Sequence, residues 1–388
     1  MKYTVVLFSA FLFNCSGSIE RVKNSSELEI NPANVSATKY SSFVKNVEFI
    51  KLDSAKYFGS IEKLLVTKDR LFILDSYNSL ALYVYNRKGE LLFDISNYGR
   101  GPGEFMGPYD FAIDKKSEEI IIYDARGSKF SYFNLDDGSF IEDKILKFRF
   151  RRFEVFNDGY IFYLDNRKDP NVVNNIIVTD QNFIEIHSFS PIIDGLRGYH
   201  AALPTNFTSY GNDLNITIHS ENSIYKVTDE NKVSKMSIDF GKYNLPQEFF
   251  EFYETNQDRR ASREGKAFNI TAFFETDSFT HFLYWVNTDS YHYFKSRKSD
   301  ETIHTRNDKL IDDLGIGPLI RWPNTVYENS LVWYQQPTEL FDYLAEKKEQ
   351  LNDREWDAFS KKNKKLISFS ETLSKNDNPY LIFMEIDF

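Results

Sequence analysis

Cysteine is all but absent from this chain: there is one in 388 residues, Cys15, at the end of an N-terminal apolar run. No disulfide can form within the chain, and no cysteine-based metal centre can be assembled. The six histidines, His187, His200, His219, His281, His292 and His304, show neither a His-Glu-x-x-His array nor the spacing of a zinc pair. There is no Gly-x-Ser-x-Gly elbow, so a Ser–His–Asp hydrolase has no local support. Basic stretches are equally scarce. The net charge is −10 and the pI about 5.3, and Lys147-Phe148-Arg149-Phe150-Arg151-Arg152 is the one basic cluster of note. Without a sustained cationic face the surface cannot displace counterions from a phosphate backbone, which argues against a nucleic-acid partner. The cluster's alternation with Phe reads as a strand with a cationic outer face, and a site for an anionic ligand is the competing reading. With 11 Pro and 17 Gly, disorder is not the theme. The N-terminal apolar stretch, Tyr3 to Phe13, is too short to span a bilayer.

Aromatic residues are plentiful: 16% of the chain, with 36 Phe and 24 Tyr. They suit pleated, half-buried strands. A repeating pattern organises them. Leu71-Phe72-Ile73-Leu74-Asp75, then Tyr83-Val84-Tyr85, then Gly89-Glu90-Leu91, aligns without a gap to Ile120-Ile121-Ile122-Tyr123-Asp124, Tyr132-Phe133-Asn134 and Gly138-Ser139-Phe140. Weaker copies start at Ile161, Asn215, Phe282 and Leu331, giving six in all. Their spacing stays near the roughly 40–50 residues of a four-stranded propeller blade. The expected fold is therefore all-β, a six-bladed β-propeller with two helical insertions, forming a single domain over residues 43–388. The insertions are read at Leu245 to Arg263 and at Thr338 to Lys362, the second with a break near Asn352-Asp353. The final Pro379 to Ile386 reads as a strand able to pair with the one near Phe43, closing the ring. Arg87-Lys88-Gly89, Asp136-Asp137-Gly138 and Asn157-Asp158-Gly159 read as hairpin turns rather than calcium loops. Asp75, Asp124 and Asp165 recur at the ends of equivalent strands, which favours capping of turn N–H groups over catalysis.

The N-terminus reads as an address. Met1-Lys2 is a minimal basic region, Tyr3 to Phe13 an apolar one, and Leu12-Phe13-Asn14-Cys15-Ser16 resembles a bacterial lipobox, with Asn14 where a small residue is usual. The resemblance implies a signal peptide over residues 1–15, acylation at Cys15, and a polar tether over residues 16–42. No acidic run follows the cysteine, which favours an outer-membrane lipoprotein facing the periplasm.

Tyr98-Gly99-Arg100-Gly101-Pro102-Gly103-Glu104-Phe105 is the sharpest local motif. It lacks the last glycine of a dinucleotide fingerprint and the Gly-Lys-Ser/Thr of a P-loop, and a strand pattern follows it rather than a helix. Its glycines fit a tight path between blades. Gly99 to Phe105, Pro108, the strand Asp110-Phe111-Ala112-Ile113-Asp114 and the closing Asn378-Pro379-Tyr380-Leu381-Ile382-Phe383 together resemble the six-bladed β-propeller lipoproteins of Bacteroidetes, relatives of NHL-repeat propellers. The resemblance covers residues 43–388 and implies an exported propeller. It brings no catalytic set.

Arg100 and Glu104 are expected either to pair and hold the loop or to face a ligand. The candidate ligand contacts are Tyr98, Arg100, Glu104, Tyr199, His200, Arg321 and Trp322. The expected function is a non-enzymatic binding module of the cell envelope, for an envelope protein, a peptide or a glycan, with no cofactor and with membrane contact only through the lipid anchor. The alternative is a hydrolase or lyase acting on lactones or glycans through a metal such as Ca²⁺, or through carboxylates in the channel.

Overall fold

The computed structural model describes residues 23–253, 255–319 and 322–388. Cys15, the leader and Arg321 lie outside the described residues.

Successive residues of a strand point to opposite faces, and here both faces are buried. Leu71 and Ile73 pack with Leu64, Val332 and Leu381, whereas Phe72 and Leu74 pack with Phe111, Ile120 and Ile122. On the next sheet Ile120 and Ile122 face back to that second cluster, while Ile121 and Tyr123 face Phe153 and Phe162. This is why the strands read as continuous apolar runs. Six sheets of four or five strands follow this rule, spanning residues 63–95, 108–145, 152–191, 207–239, 267–306 and 325–386. We number them blades 1 to 6. Each contributes to two of six core clusters, one shared with each neighbour, and the cluster joining blade 6 to blade 1 closes the ring. The fold is a β-propeller.

Closure is made by the strand expected to make it. Tyr380–Ile386 pairs antiparallel with β3 (Val44–Ile50), Ile382 opposite Phe49, so both ends of the chain share blade 6. Upstream of β3 the structure differs from the expected free tether over residues 16–42. From Lys23 onward the chain is docked. β1 (Lys23–Glu29) adds in parallel to Val233–Asp239, the outer strand of blade 4. The chain then hydrogen-bonds along blade 5, with Ser36 N–H donating to the His304 carbonyl at 3.3 Å, and β2 (Thr38–Lys39) pairs with Leu310–Ile311. Leu28 and Ile30 enter the cluster between blades 4 and 5. Apolar burial and the unpaired edge of blade 4 together hold a segment whose composition alone reads as a linker.

The second helical insertion forms α2 (Pro337–Gln350), α3 (Asp353–Lys362) and α4 (Lys364–Ser370), whose Leu340 and Leu366 are buried in the cluster between blades 5 and 6. The break falls at Asn352, which caps α3 by accepting from Glu355 N–H at 3.1 Å. The first insertion is helical as a 3-10 turn at Gln247–Phe250 and as α1 (Asn256–Ser262), not as one continuous helix. Phe249 is buried beside Leu196 and Tyr199, and the Arg259 guanidinium donates to the carbonyls of Phe249, Gly195 and Glu251. The carbonyls of Phe249 and Glu251 thereby serve Arg259 rather than the next turn of an α-helix. The basic cluster Lys147–Arg152 is likewise not a strand with a cationic face. Residues 147–151 cross between blades, the Phe150 ring stacks on Tyr123 at 4.0 Å, and Arg152 alone starts a strand and turns inward.

Antiparallel order sends alternate connections to opposite ends of the ring. Turns such as 67–69, 87–90, 115–118, 157–158, 211–212 and 228–232 lie at one end, here called the turn end. The long connections 51–62, 96–107, 192–206, 240–266, 307–324 and 336–379 lie at the other, the loop end. The recurring aspartates do act as caps. Asp75 accepts from the N–H groups of Tyr77, Asn78 and Ser79 in its own turn and from Gly59 in the incoming connection. Asp124 does the same with Arg126, Met106 and Gly107. Asp165 holds Ala201 and Ala202 in the outgoing connection instead.

The glycine-rich motif delivers Phe105, fully buried, to the cluster between blades 1 and 2. Phe105→Ala should lower the unfolding free energy by about 3–5 kcal/mol, read as a fall in the urea midpoint at unchanged slope.

Candidate functional site

Inner strands cannot pair with one another across the axis, so their side chains line a cavity. It measures about 980 Å³ and is bounded by all six blades, through residues such as Lys63, Ile113, Glu154, Thr208, Glu275 and Thr325. Lys68, Lys116, Tyr210, Asp277 and Tyr327 border its mouth, which places the mouth at the turn end. A cavity of this volume is in the range of small-ligand sites.

Its floor is a charge network drawn from the inner strands of blades 1 to 3, Lys63–Val66, Pro108–Asp114 and Arg152–Phe156. Asp110 is fully buried and accepts from Lys63 Nζ at 2.9 Å, Phe111 N–H at 2.9 Å and Phe153 N–H at 3.1 Å. Lys63 Nζ also donates to the Phe111 carbonyl at 2.6 Å. Arg152, 2% exposed, donates to the Tyr109 carbonyl at 3.1 Å and pairs with Glu62 at 3.2 Å. Arg152 thereby ties the start of its strand to blade 2 and to the connection entering blade 1. Glu154 stands farther from Lys63 than Asp110 does. Its carboxylate lies 3.8 Å from Lys63 Nζ, two of whose three hydrogens serve Asp110 and Phe111, and the Val155 N–H favours its charged form. Burial pushes the Glu154 carboxyl up to about 7, with Lys63 opposing and Asp110 reinforcing the shift.

The residues singled out in the sequence lie elsewhere. Tyr98, Arg100 and Glu104 share one connection at the loop end, with Tyr98 66% exposed. Glu104 does hold this loop, but through Gly101 N–H at 2.8 Å, while Arg100 sets its Nε 3.2 Å from Met106 Sδ. Gly103 has φ +70°, and a Cβ there would stand 2.6 Å from the Phe140 ring. Tyr199 and His200 are brought together beside Asp165. His200 Nδ1 lies 2.6 Å from the Asp165 carbonyl, and the Tyr199 hydroxyl lies 3.4 Å from both His219 Nε2 and an Arg263 nitrogen. Trp322 packs edge-on to Trp285 at 5.7 Å. None of these residues lines the cavity.

Burial holds His219 and His292 down to about 4, so both imidazoles are neutral at physiological pH. Among the described residues no three His, Cys, Asp or Glu side chains gather as metal ligands, and no helix is long and apolar enough to cross a membrane. Sequence reasoning missed Lys63, Asp110, Arg152 and Glu154. Their signal was a charged residue inside the first apolar strand of a repeat, as in Lys63-Leu64-Leu65-Val66 and Phe153-Glu154-Val155.

A Glu whose folded pKa is raised is neutral in both states at low pH and disfavours the folded state once ionised in both. Its penalty appears between about 4.5 and 7 and persists above. Glu154→Gln should therefore leave stability unchanged at acid pH and raise it above neutrality by on the order of 3 kcal/mol, read from urea melts across the range.

A solved structure from Bacteroides fragilis, designated an exported protein, is similar at TM-score 0.74 and 19% identity, over 93% of this chain and 99% of that one. A member of the DUF4221 family from Bacteroides vulgatus is similar at TM-score 0.52 and 12% identity, over 89% and 97%. Both likenesses speak to the fold. No curated protein matches. The family profile described as "Domain of unknown function (DUF4934)" matches residues 26–385, nearly the whole described chain, and the protein belongs to that family.

Proposed function

We propose that this protein is an exported, lipid-anchored propeller that works as a non-enzymatic binding module in the cell envelope, taking its ligand into the axial cavity from the turn end. The observation that carries the reading is the cavity itself: about 980 Å³, walled by all six blades, with the partly exposed Glu154 carboxylate among its lining groups. A carboxylate that lines a cavity offers acceptor oxygens to a ligand that supplies a donor. The chemistry asked for is a donor-rich group, a sugar hydroxyl face or a peptide amine. This narrows the expected envelope glycan or peptide to what can donate to a carboxylate. The exported character of the Bacteroides fragilis neighbour supports the location, and the lipobox at Cys15 supports the anchor. The lack of an acidic run after Cys15 favours the periplasmic face of the outer membrane in this reading.

One observation favours the hydrolase or lyase alternative. A carboxyl held near 7 is suited to proton transfer at physiological pH. The neighbouring carboxylate Asp110 is fully buried and committed to Lys63 and two backbone N–H groups, so it is not free to serve as the second acid.

Calorimetric titration of the protein with a panel of envelope oligosaccharides and short peptides tests the reading. A cavity ligand should bind more tightly at pH 8 than at pH 6, as Glu154 ionises. Glu154→Ala should weaken it at least tenfold, about 1.4 kcal/mol, and substitutions at Arg100 or His200 should leave it unchanged. Ligand turnover lost in Glu154→Gln would replace the binding module with the enzyme. A ligand indifferent to residue 154 and sensitive to residue 100 would move the site to the loop end.

A further inference from the structure

β1 fixes which way the propeller faces. It runs parallel to Val233–Asp239, with Lys23 opposite Ser234 and Glu29 opposite Asp239. Val233–Asp239 leaves the turn at 228–232 and runs to the connection at 240–266, from the turn end to the loop end. Lys23 therefore lies at the turn end, on the same side as the cavity mouth bordered by Tyr210, Asp277 and Tyr327. The chain before Lys23 must approach from that side. Cys15 precedes Lys23 by eight residues, so even fully extended the connection reaches no more than about 28 Å. β1 itself spans about 23 Å of the blade's height. Reaching the loop end from Lys23 would consume nearly the whole connection before the long loops were cleared.

We propose that the turn end, with the mouth of the cavity, faces the lipid surface that carries the acylated Cys15, separated from it by a gap of about 28 Å or less. This rests on the reading of Cys15 as the anchor. The ligand of the cavity then reaches it from the membrane side, and the loop end, with exposed Tyr57, Tyr77 and Tyr98, points away from the bilayer. The partner of the turn end is the headgroup layer of the protein's own membrane. Lys68, Lys115 and Lys116 at the rim face Asp69, Asp114, Asp136, Asp277 and Glu328, so the orientation is set by the docked strand and short connection rather than by attraction to anionic lipid.

The body contains no cysteine besides Cys15, so single reporter cysteines can be placed without background. The full-length acylated protein is reconstituted in phosphatidylethanolamine–phosphatidylglycerol vesicles carrying a headgroup quencher, with a fluorophore at Lys116→Cys or Asp229→Cys (turn end) or at Tyr98→Cys (loop end). Quenching at 116 and 229 should exceed that at 98 several-fold. Inserting thirty Gly/Ser residues between Ile19 and Glu20 should abolish the difference. Equal quenching without the insertion, or stronger quenching at 98, overturns the orientation while the anchor stands. Mass spectrometry of the same preparation reads the anchor separately. A chain without acyl groups, or one that stays off the vesicles as the Cys15→Ser variant should, overturns the anchor and the orientation with it.

Discussion

Everything in this protein depends on each sheet burying both of its faces. A blade standing alone would leave Leu71 and Ile73 on one side, and Phe72 and Leu74 on the other, exposed to water. Fully burying such side chains is worth about 1.5–3 kcal/mol each, so a blade gains most of its stability only when both neighbours are in place. That makes the ring an all-or-none assembly. It also puts the heaviest demand on blade 6, where the first and last strands of the ring must meet. The pairing of β3 with Tyr380–Ile386 meets that demand with backbone hydrogen bonds and a shared core.

Ring geometry also creates the polar interior. Six inner strands converge on an axis too wide for side chains to fill and too narrow for another sheet. Where the axis is narrowest, Lys63, Asp110 and Arg152 hold blades 1 to 3 together. A buried charge is tolerated only when paired and hydrogen-bonded, and Asp110 has three donors. Glu154 lines the cavity beside this network, 3.8 Å from Lys63 Nζ. The network thus sets a partly exposed carboxylate, raised in pKa by burial, among the groups that line the cavity.

How legible this was in the sequence depends on the range of the interactions. The strands, the Asp caps and the helix break at Asn352 were legible because periodicity and capping are local. Closure was legible because a lone C-terminal strand has few other partners. The docking of residues 23–39 was hidden, since Ser- and Asn-rich composition reads as solvent-exposed chain and the unpaired edge of blade 4 exists only after folding. The helix expected over 245–263 is present in two pieces, Gln247–Phe250 and α1, for a similar reason: Arg259 takes up the carbonyls between them at a place that only the assembled blades define. The candidate contacts were drawn from conspicuous loop residues, Arg100 and His200 among them, which stand at the loop end. The cavity is lined from inside strands, where Lys63 and Glu154 look like ordinary outward-facing charges until six strands are wrapped around one axis.

The most direct test of the account is a crystal structure of the body, residues 23–388, soaked with envelope oligosaccharides, short peptides and Ca²⁺, and inspected at both ends of the ring. The account predicts a ligand seated in the axial cavity, donating a hydrogen bond to the Glu154 carboxylate. A ligand held at the loop end by Tyr98, Arg100 or His200, or a calcium ion coordinated on the axis, would contradict it.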